Sequence, residues 1–253
     1  MYQSPAIVNE TLLTSVLTGD RMAVTYAQSI VSLKDGDTKG QEMLTRFPGP
    51  DGRMRAVGSL LQDVTVSPDL RVRLDLLCVG SVFEALARDP ITDHLVFVNI
   101  NPLSLDHPEF WNRIQAWVWN LPIPPHRIVL ELTGPDPDQD LDQLGAHSRR
   151  LRDLGLRLAV AGLASGQASL VQMARLAPDF VKVDRCLVRD VHRNPYQAAM
   201  LNALARFTAR MGIGYVLEGI ETMAELQTAI DADVPLGQGF VFGEPQPLGK
   251  PGI

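Results

Sequence analysis

Cysteine is scarce in this 253-residue chain. Cys78 and Cys186 are the only two, too few and too far apart for a disulfide framework. Both are expected to be buried, reduced thiols. No apolar run reaches the roughly 18 residues of a membrane span. No basic segment leads into an apolar one at the start of the chain, which reads against a secretory signal. Together these absences point to a cytoplasmic protein. Basic residues are in the minority, 23 Lys and Arg against 29 Asp and Glu, for a net charge of −6. A nucleic-acid binder normally presents a basic face, so no DNA or RNA partner is expected. A small anionic ligand is not excluded, because a local site can oppose the net charge. There is no internal repeat, no low-complexity segment and no long linker, so residues 1–253 read as a single domain.

What is present is ordinary for a globular chain, 45% hydrophobic and 21% charged residues. Strand patterns cover Ala23–Leu33, Gln41–Phe47, Leu95–Ile100, Arg127–Leu132, Arg157–Val160, Phe180–Val183, Ile213–Leu217 and a final short stretch near Gly239–Phe242. Helical periodicity fills the intervals at Val72–Ala87, Phe110–Trp119, Leu141–Leu154, Ser169–Ala174 and Tyr196–Met211. Pro and Gly mark loops at Pro48–Gly52, Leu121–Pro125 and Gly134–Pro137. Eight strands alternating with helices in about 250 residues predict an α/β fold, a TIM-like (β/α)8 barrel. A doubly wound open sheet fits the same alternation.

In a barrel, polar residues at the C-terminal ends of strands face the mouth. Glu42, Asn99, Glu131, Lys182, Asp184 and Glu218 all interrupt or end apolar runs in this way. A lone buried carboxylate costs several kcal/mol, so each needs a partner, a metal ion or water. Any one of them is satisfied by a structural ion pair. As a set they would converge, and an oxygen-rich cluster suits hard cations such as Mg²⁺, Mn²⁺ or Ca²⁺.

Those residues sit in motifs that resemble the EAL-domain family of cyclic di-GMP phosphodiesterases. Glu42-Met43-Leu44-Thr45-Arg46-Phe47 is similar to the family's name signature. Val98-Asn99-Ile100-Asn101-Pro102, Leu130-Glu131-Leu132-Thr133, Val181-Lys182-Val183-Asp184-Arg185, Leu217-Glu218-Gly219-Ile220-Glu221-Thr222 and Gly237-Gln238-Gly239-Phe240 follow in order. The likeness is clearest over residues 23–248. It implies a barrel with one antiparallel strand, a two-cation mechanism, and metal ligation by Glu42, Asn99, Glu131 and Glu218. It implies that Lys182 holds the catalytic water, with Glu42 beside it in the catalytic set. Ligand contacts are implied for Gln28, Leu44, Arg46, Gln238 and Pro245, with Glu221 and Asp184 supporting the metal-binding residues from behind. The guanidinium of Arg46 suits a phosphate, and Gln28 or Gln238 suits a guanine edge.

The likeness breaks at one place. Where the family has Asp-Asp-Phe-Gly-Thr-Gly, this chain reads Ala161-Gly162-Leu163-Ala164-Ser165-Gly166. Two expected metal-binding aspartates are replaced by Ala161 and Gly162, and a two-metal mechanism needs ions held roughly 3.5–4 Å apart. Milder departures are Met43, Thr45, Phe47, Gly134, the residues flanking Gln28, and the segment Met54–Pro68. The expectation is therefore a catalytically inactive domain that serves as a cyclic di-GMP receptor or a protein-interaction module, needing no cofactor for binding. The alternative is an active or slow phosphodiesterase using Mg²⁺ or Mn²⁺ in an incomplete site. The interaction reading also draws on the helix carrying Trp111, Trp117 and Trp119, whose simplest role is packing. A homodimer is a further expectation.

Overall fold

In the computed structural model, the structure describes residues 16, 23–49, 53–56, 58, 66–91, 93–133, 140–164 and 170–248. Gly134–Pro137, Pro50–Gly52, Ser165, Gly166, Ser169 and most of the segment between Met54 and Pro68 lie outside them.

Hydrogen-bond pairing closes eight strands into a barrel. They are β1 (Val24–Ser32), β2 (Thr38–Pro48), β4 (Leu95–Ile100), β5 (Ile128–Leu132), β6 (Arg157–Val160), β7 (Phe180–Val183), β8 (Gly214–Leu217) and β9 (Leu236–Gly237). Neighbours from β2 through β4 to β9 run parallel, and β1 is antiparallel to both β2 and β9. The barrel with one reversed strand is therefore the architecture, and the open sheet is not. Two short strands extend it: β3 (Met54–Ala56) pairs with β2, and β10 (Gln246–Pro247) pairs with β1. The final strand lies at Leu236–Gly237, ahead of the expected Gly239–Phe242, which forms a turn.

The helices are α1 (Pro68–Arg88), α2 (Pro102–Leu105), α3 (Pro108–Asn120), α4 (Leu141–Asp153), α5 (Leu170–Leu176), α6 (Arg185–Val188), α7 (Pro195–Met211) and α8 (Met223–Asp231). Their starts follow from local chemistry. Ser67, Asn101, His107, Asp140, Asn194 and Thr222 each accept a backbone N–H from the first turn, and Pro stands at the start of α1, α2, α3 and α7. Among the described residues no helix is long and apolar enough to cross a membrane.

Side chains alternate along the strands. One set, including Val96, Val98, Ile100, Leu130, Leu158 and Val160, packs outward with α1, α3 and α4. Its counterpart joins Val181, Val183, Tyr215 and Leu217 to α7 and α8. The inward set of Ile30, Phe97, Val129, Ala159, Phe180 and Val216 fills the barrel with an apolar layer. Two residues further along the parallel strands, and two residues back along the reversed β1, come the positions that line the mouth. Trp111 is buried and Trp117 stacks on Phe83, as expected of packing residues, whereas Trp119 is exposed. Cys78 is buried, but Cys186 is exposed on α6 and its thiol donates to Asp184 Oδ1.

Gly239, in the turn after β9, packs against the backbone that follows β8. A Cβ there would overlap the backbone of Ile220, which bonds through its N–H to Gln238 O and through its oxygen to Val241 N. Backbone cannot yield as a flexible side chain does. Gly239→Ala is expected to destabilise the fold by about 3 kcal/mol, at the upper end for overpacking, and to lower the melting temperature by roughly 10 °C. Thermal unfolding followed by circular dichroism measures it.

Candidate functional site

The inward register that places Ile30, Phe97, Val129, Ala159, Phe180 and Val216 in one layer places Gln28, Asn99, Glu131, Ala161, Lys182 and Glu218 in the next. Glu42 lies opposite Gln28 across the β1–β2 pair. This ring is polar throughout except at Ala161, whose buried methyl follows β6.

Lys182 sits at the centre, fully buried. Its Nζ lies 2.9 Å from Glu42 Oε2, 2.8 Å from Glu131 Oε2 and 2.7 Å from Glu218 Oε1. The Phe97 ring, one layer below, has its centroid 5.8 Å from the same nitrogen. Asn99 donates its amide to Glu42 Oε1 at 2.7 Å. Gln238 donates to Glu42 Oε2 at 2.7 Å and to Gln28 Oε1 at 3.0 Å. Gln28 in turn donates to Gly243 O. One connected network thus joins β1, β2, β4, β5, β7, β8 and the turn after β9.

The charges are unequal in their comfort. Burial pushes the Lys182 ammonium down, but the three carboxylates outweigh it and hold its pKa well above the ordinary value. Burial also pushes Glu42 up; Lys182, Asn99 and Gln238 overcome this and leave it below its usual range. Glu131 and Glu218 are both raised, mainly by burial and then by the neighbouring carboxylates that Lys182 only partly offsets. Glu131 reaches about 8. Glu131 therefore takes up a proton more readily than a free carboxyl, and the three carboxyls titrate together around one ammonium.

Glu42, Leu44, Arg46 and Asn99 line a cavity of about 260 Å³ beside the cluster. Arg46 stacks its guanidinium over Tyr26 at 5.1 Å, and among the described residues neither its buried Nε nor the buried Oε1 of Gln238 has a hydrogen-bond partner. Pro245 stands half-buried just ahead of β10. Asp184 lies close enough to Glu218 to raise its pKa. Glu221 is drawn elsewhere: its carboxylate pairs with Arg185, and its N–H donates to Glu225. No described contact joins Glu221 to the cluster.

Two participants escaped the reading of the sequence. Phe97 could have been found by stepping back two residues from Asn99. Asp75 on α1 is the other. It is buried and accepts Asn101 N at 3.1 Å and Ser104 Oγ at 2.6 Å, which pins the turn following Asn99. Burial raises its pKa to about 7, against the lowering effect of Ser104 and Asn101. Its only signal was an acidic residue on the apolar face of a helix.

A pair of divalent ions does not fit this donor set. The three carboxylates already converge on an ammonium, and Ala161 and Gly162 bring no side-chain oxygen to the adjacent strand end.

Comparison with known proteins supplies the family context. The model of the EAL domain matches residues 10–245. The chain is 26% identical over 240 residues to the "Probable cyclic di-GMP phosphodiesterase PdeA" of Escherichia coli K12, covering 94% of this chain and 32% of that protein. It spans 28% to 56% of the length of the first curated relatives it matches. Among solved structures, Klebsiella pneumoniae BlrP1 with manganese and cyclic diGMP is similar at a TM-score of 0.78 and 27% identity, covering 88% of this chain and 56% of that one. BlrP1 with FMN and cyclic diGMP but no metal ions aligns at 0.70 and 25%, covering 88% and 53%.

The buried cluster sets two expectations. Lys182→Met leaves carboxylates without their cation and should destabilise the fold by about 3–5 kcal/mol at neutral pH. For Glu131 the pKa is raised on folding, from 4.5 to about 8. Below 4.5 both states are protonated. Above it the unfolded chain ionises first, so stability falls as pH rises and levels off beyond about 8. Glu131→Gln removes this titration, and denaturant melts across that range should give a flatter profile than wild type.

Proposed function

The chain belongs to the EAL domain family, and from that premise we propose that residues 23–248 act as one domain that binds cyclic di-GMP without hydrolysing it. The observation that carries the reading is the ring at the barrel mouth. It has Ala161 where its neighbours are polar, and Lys182 supplies the cation that the carboxylates require. A two-ion mechanism clamps the attacking and leaving oxygens between paired dications, and this ring lacks the oxygens to hold them. In this reading Glu42, Asn99, Glu131 and Glu218 keep the family's positions, and Lys182 neutralises them in place of holding a water.

Binding needs different groups, and these remain. A dinucleotide brings two phosphates, each of which suits the Arg46 guanidinium, held over Tyr26. It also brings guanine edges, which suit the side-chain amides of Gln28 or Gln238. Leu44 and Pro245 would supply apolar contact on either side. The metal-free BlrP1 complex supports the same reading, because a relative holds cyclic diGMP with no metal ions.

Titration calorimetry with cyclic di-GMP in EDTA, followed by chromatography of the mixture after Mg²⁺ or Mn²⁺ is supplied, tests the proposal. Saturable heat in EDTA and no linear dinucleotide are expected. Arg46→Ala should weaken binding about tenfold or more, the loss of a charge-assisted contact. Absence of heat, or metal-dependent turnover abolished by Glu42→Ala, overturns it. The pair Ala161→Asp and Gly162→Asp probes how much machinery survives. Gly162 has φ of +74°, a conformation that Asp adopts more readily than most residues. The double variant should gain Mn²⁺ binding.

A further inference from the structure

Arg46 and Tyr26 stand on the β1–β2 ribbon where it runs past the ring at the mouth. Gln28 pairs with Glu42, Tyr26 with Leu44 and Val24 with Arg46, and strand alternation puts all six side chains on one face. Tyr26 and Arg46 are therefore diagonal neighbours across an antiparallel pair, a separation that long and aromatic side chains bridge. The Arg46 guanidinium lies over the Tyr26 ring, 5.1 Å from its centroid. Sheet pairing fixes both backbones from two sides. Tyr26 lies between Leu44 and Pro247, and Arg46 between Val24 and Ala56.

Packing alone does not account for the ring. Tyr26 is half-buried but joins none of the apolar clusters formed by the described residues. Its neighbour Ala27, on the opposite face, packs against the core shared by α1 and α3. Leu44 and Arg46 line the cavity beside the cluster, and Tyr26 lies outside that lining. The ring thus meets the cavity by way of the guanidinium.

We propose, resting on the cyclic di-GMP reading above, that Tyr26 is the positioning residue of Arg46 and does not itself touch the ligand. An aromatic face is suited to that task in a way a carboxylate is not. It attracts the cation through its quadrupole and accepts none of the in-plane N–H hydrogen bonds. The donors along the guanidinium edge, and its whole charge, stay available to a phosphate. A carboxylate in the same place would take two donors in a fork and cancel the charge. The stack also lowers the cost of binding. A long side chain that is already held gives up less freedom when it grips an anion. Carried on two paired strands, the arginine is presented from a rigid element and not from a loop.

Cyclic di-GMP titrations of the whole chain in EDTA test the role. Tyr26→Leu should weaken binding about five- to thirtyfold, the range of a partly desolvated cation–π contact. Tyr26→Phe keeps the aromatic face and should stay within about twofold of wild type. Adding Tyr26→Leu to Arg46→Ala should cost no more than about twofold beyond Arg46→Ala alone, because the ring acts only through the guanidinium. A second readout needs no ligand. In nitrogen–proton correlation spectra the Arg46 Nε–H signal should move in Tyr26→Leu and hold in Tyr26→Phe. Circular dichroism checks that each variant is folded, and Tyr26→Met replaces the leucine variant if that one is not. Equal affinity of Tyr26→Leu and wild type, or an unmoved Nε–H signal, overturns the positioning role and leaves the binding reading in place. So do additive losses in the double variant, which would put Tyr26 on the ligand itself. A wild type that binds no cyclic di-GMP overturns both.

Discussion

A single buried ammonium organises this molecule. Lys182 has no contact with solvent, and its charge would be prohibitive to bury without compensation. Three carboxylates from three other strands provide it, each within 2.9 Å. The dependence runs both ways, since Glu42, Glu131 and Glu218 could not share one mouth without a cation among them. The outcome is a cluster in which burial raises the pKa of Glu131 while Lys182, Asn99 and Gln238 lower that of Glu42. Ala161 and Gly162 belong to the same balance. Two further carboxylates beside Glu131 would exceed what one ammonium can offset, whereas a methyl and a hydrogen add nothing to be neutralised.

The fold holds the cluster in place from beneath and behind. Below it the aromatic rings of Phe97 and Phe180 pack edge to face, so the strand ends cannot shift independently. On the α1 side, Asp75 fastens the turn after Asn99. On the reversed strand, Gln28 and Gln238 tie Glu42 to the seam where β9 closes on β1. Arg46 Nε and Gln238 Oε1 are buried beside the cluster without a hydrogen-bond partner among the described residues.

Much of this was legible in the chain itself. The β4, β6 and β7 boundaries follow from short apolar runs, because parallel barrel strands are covered on both faces and show little alternation to blur. The mouth residues stood out because each was polar at the end of such a run. What escaped depended on non-local geometry. Nothing in Gly239–Phe242 or Leu236–Gly237 alone tells which pair meets β1, because two-residue strands are chosen by the closure of the barrel. The exposure of Cys186 follows from its place on a single-turn helix. Asp75 and Ser104 are 29 residues apart, and only the packing of α1 on α2 joins them. Glu221, expected behind the metal-binding residues, is claimed by Arg185, a partner that no motif spacing discloses.

The proposal of a site that binds without hydrolysing stands on Lys182 as the cation that the mouth carboxylates share. Electron paramagnetic resonance of Mn²⁺ titrated into the protein measures this directly, because free and bound ions give different signals. The account predicts that wild type shows no saturable Mn²⁺ site, with or without cyclic di-GMP. Two tightly bound ions per chain, lost on Glu42→Ala, would contradict it.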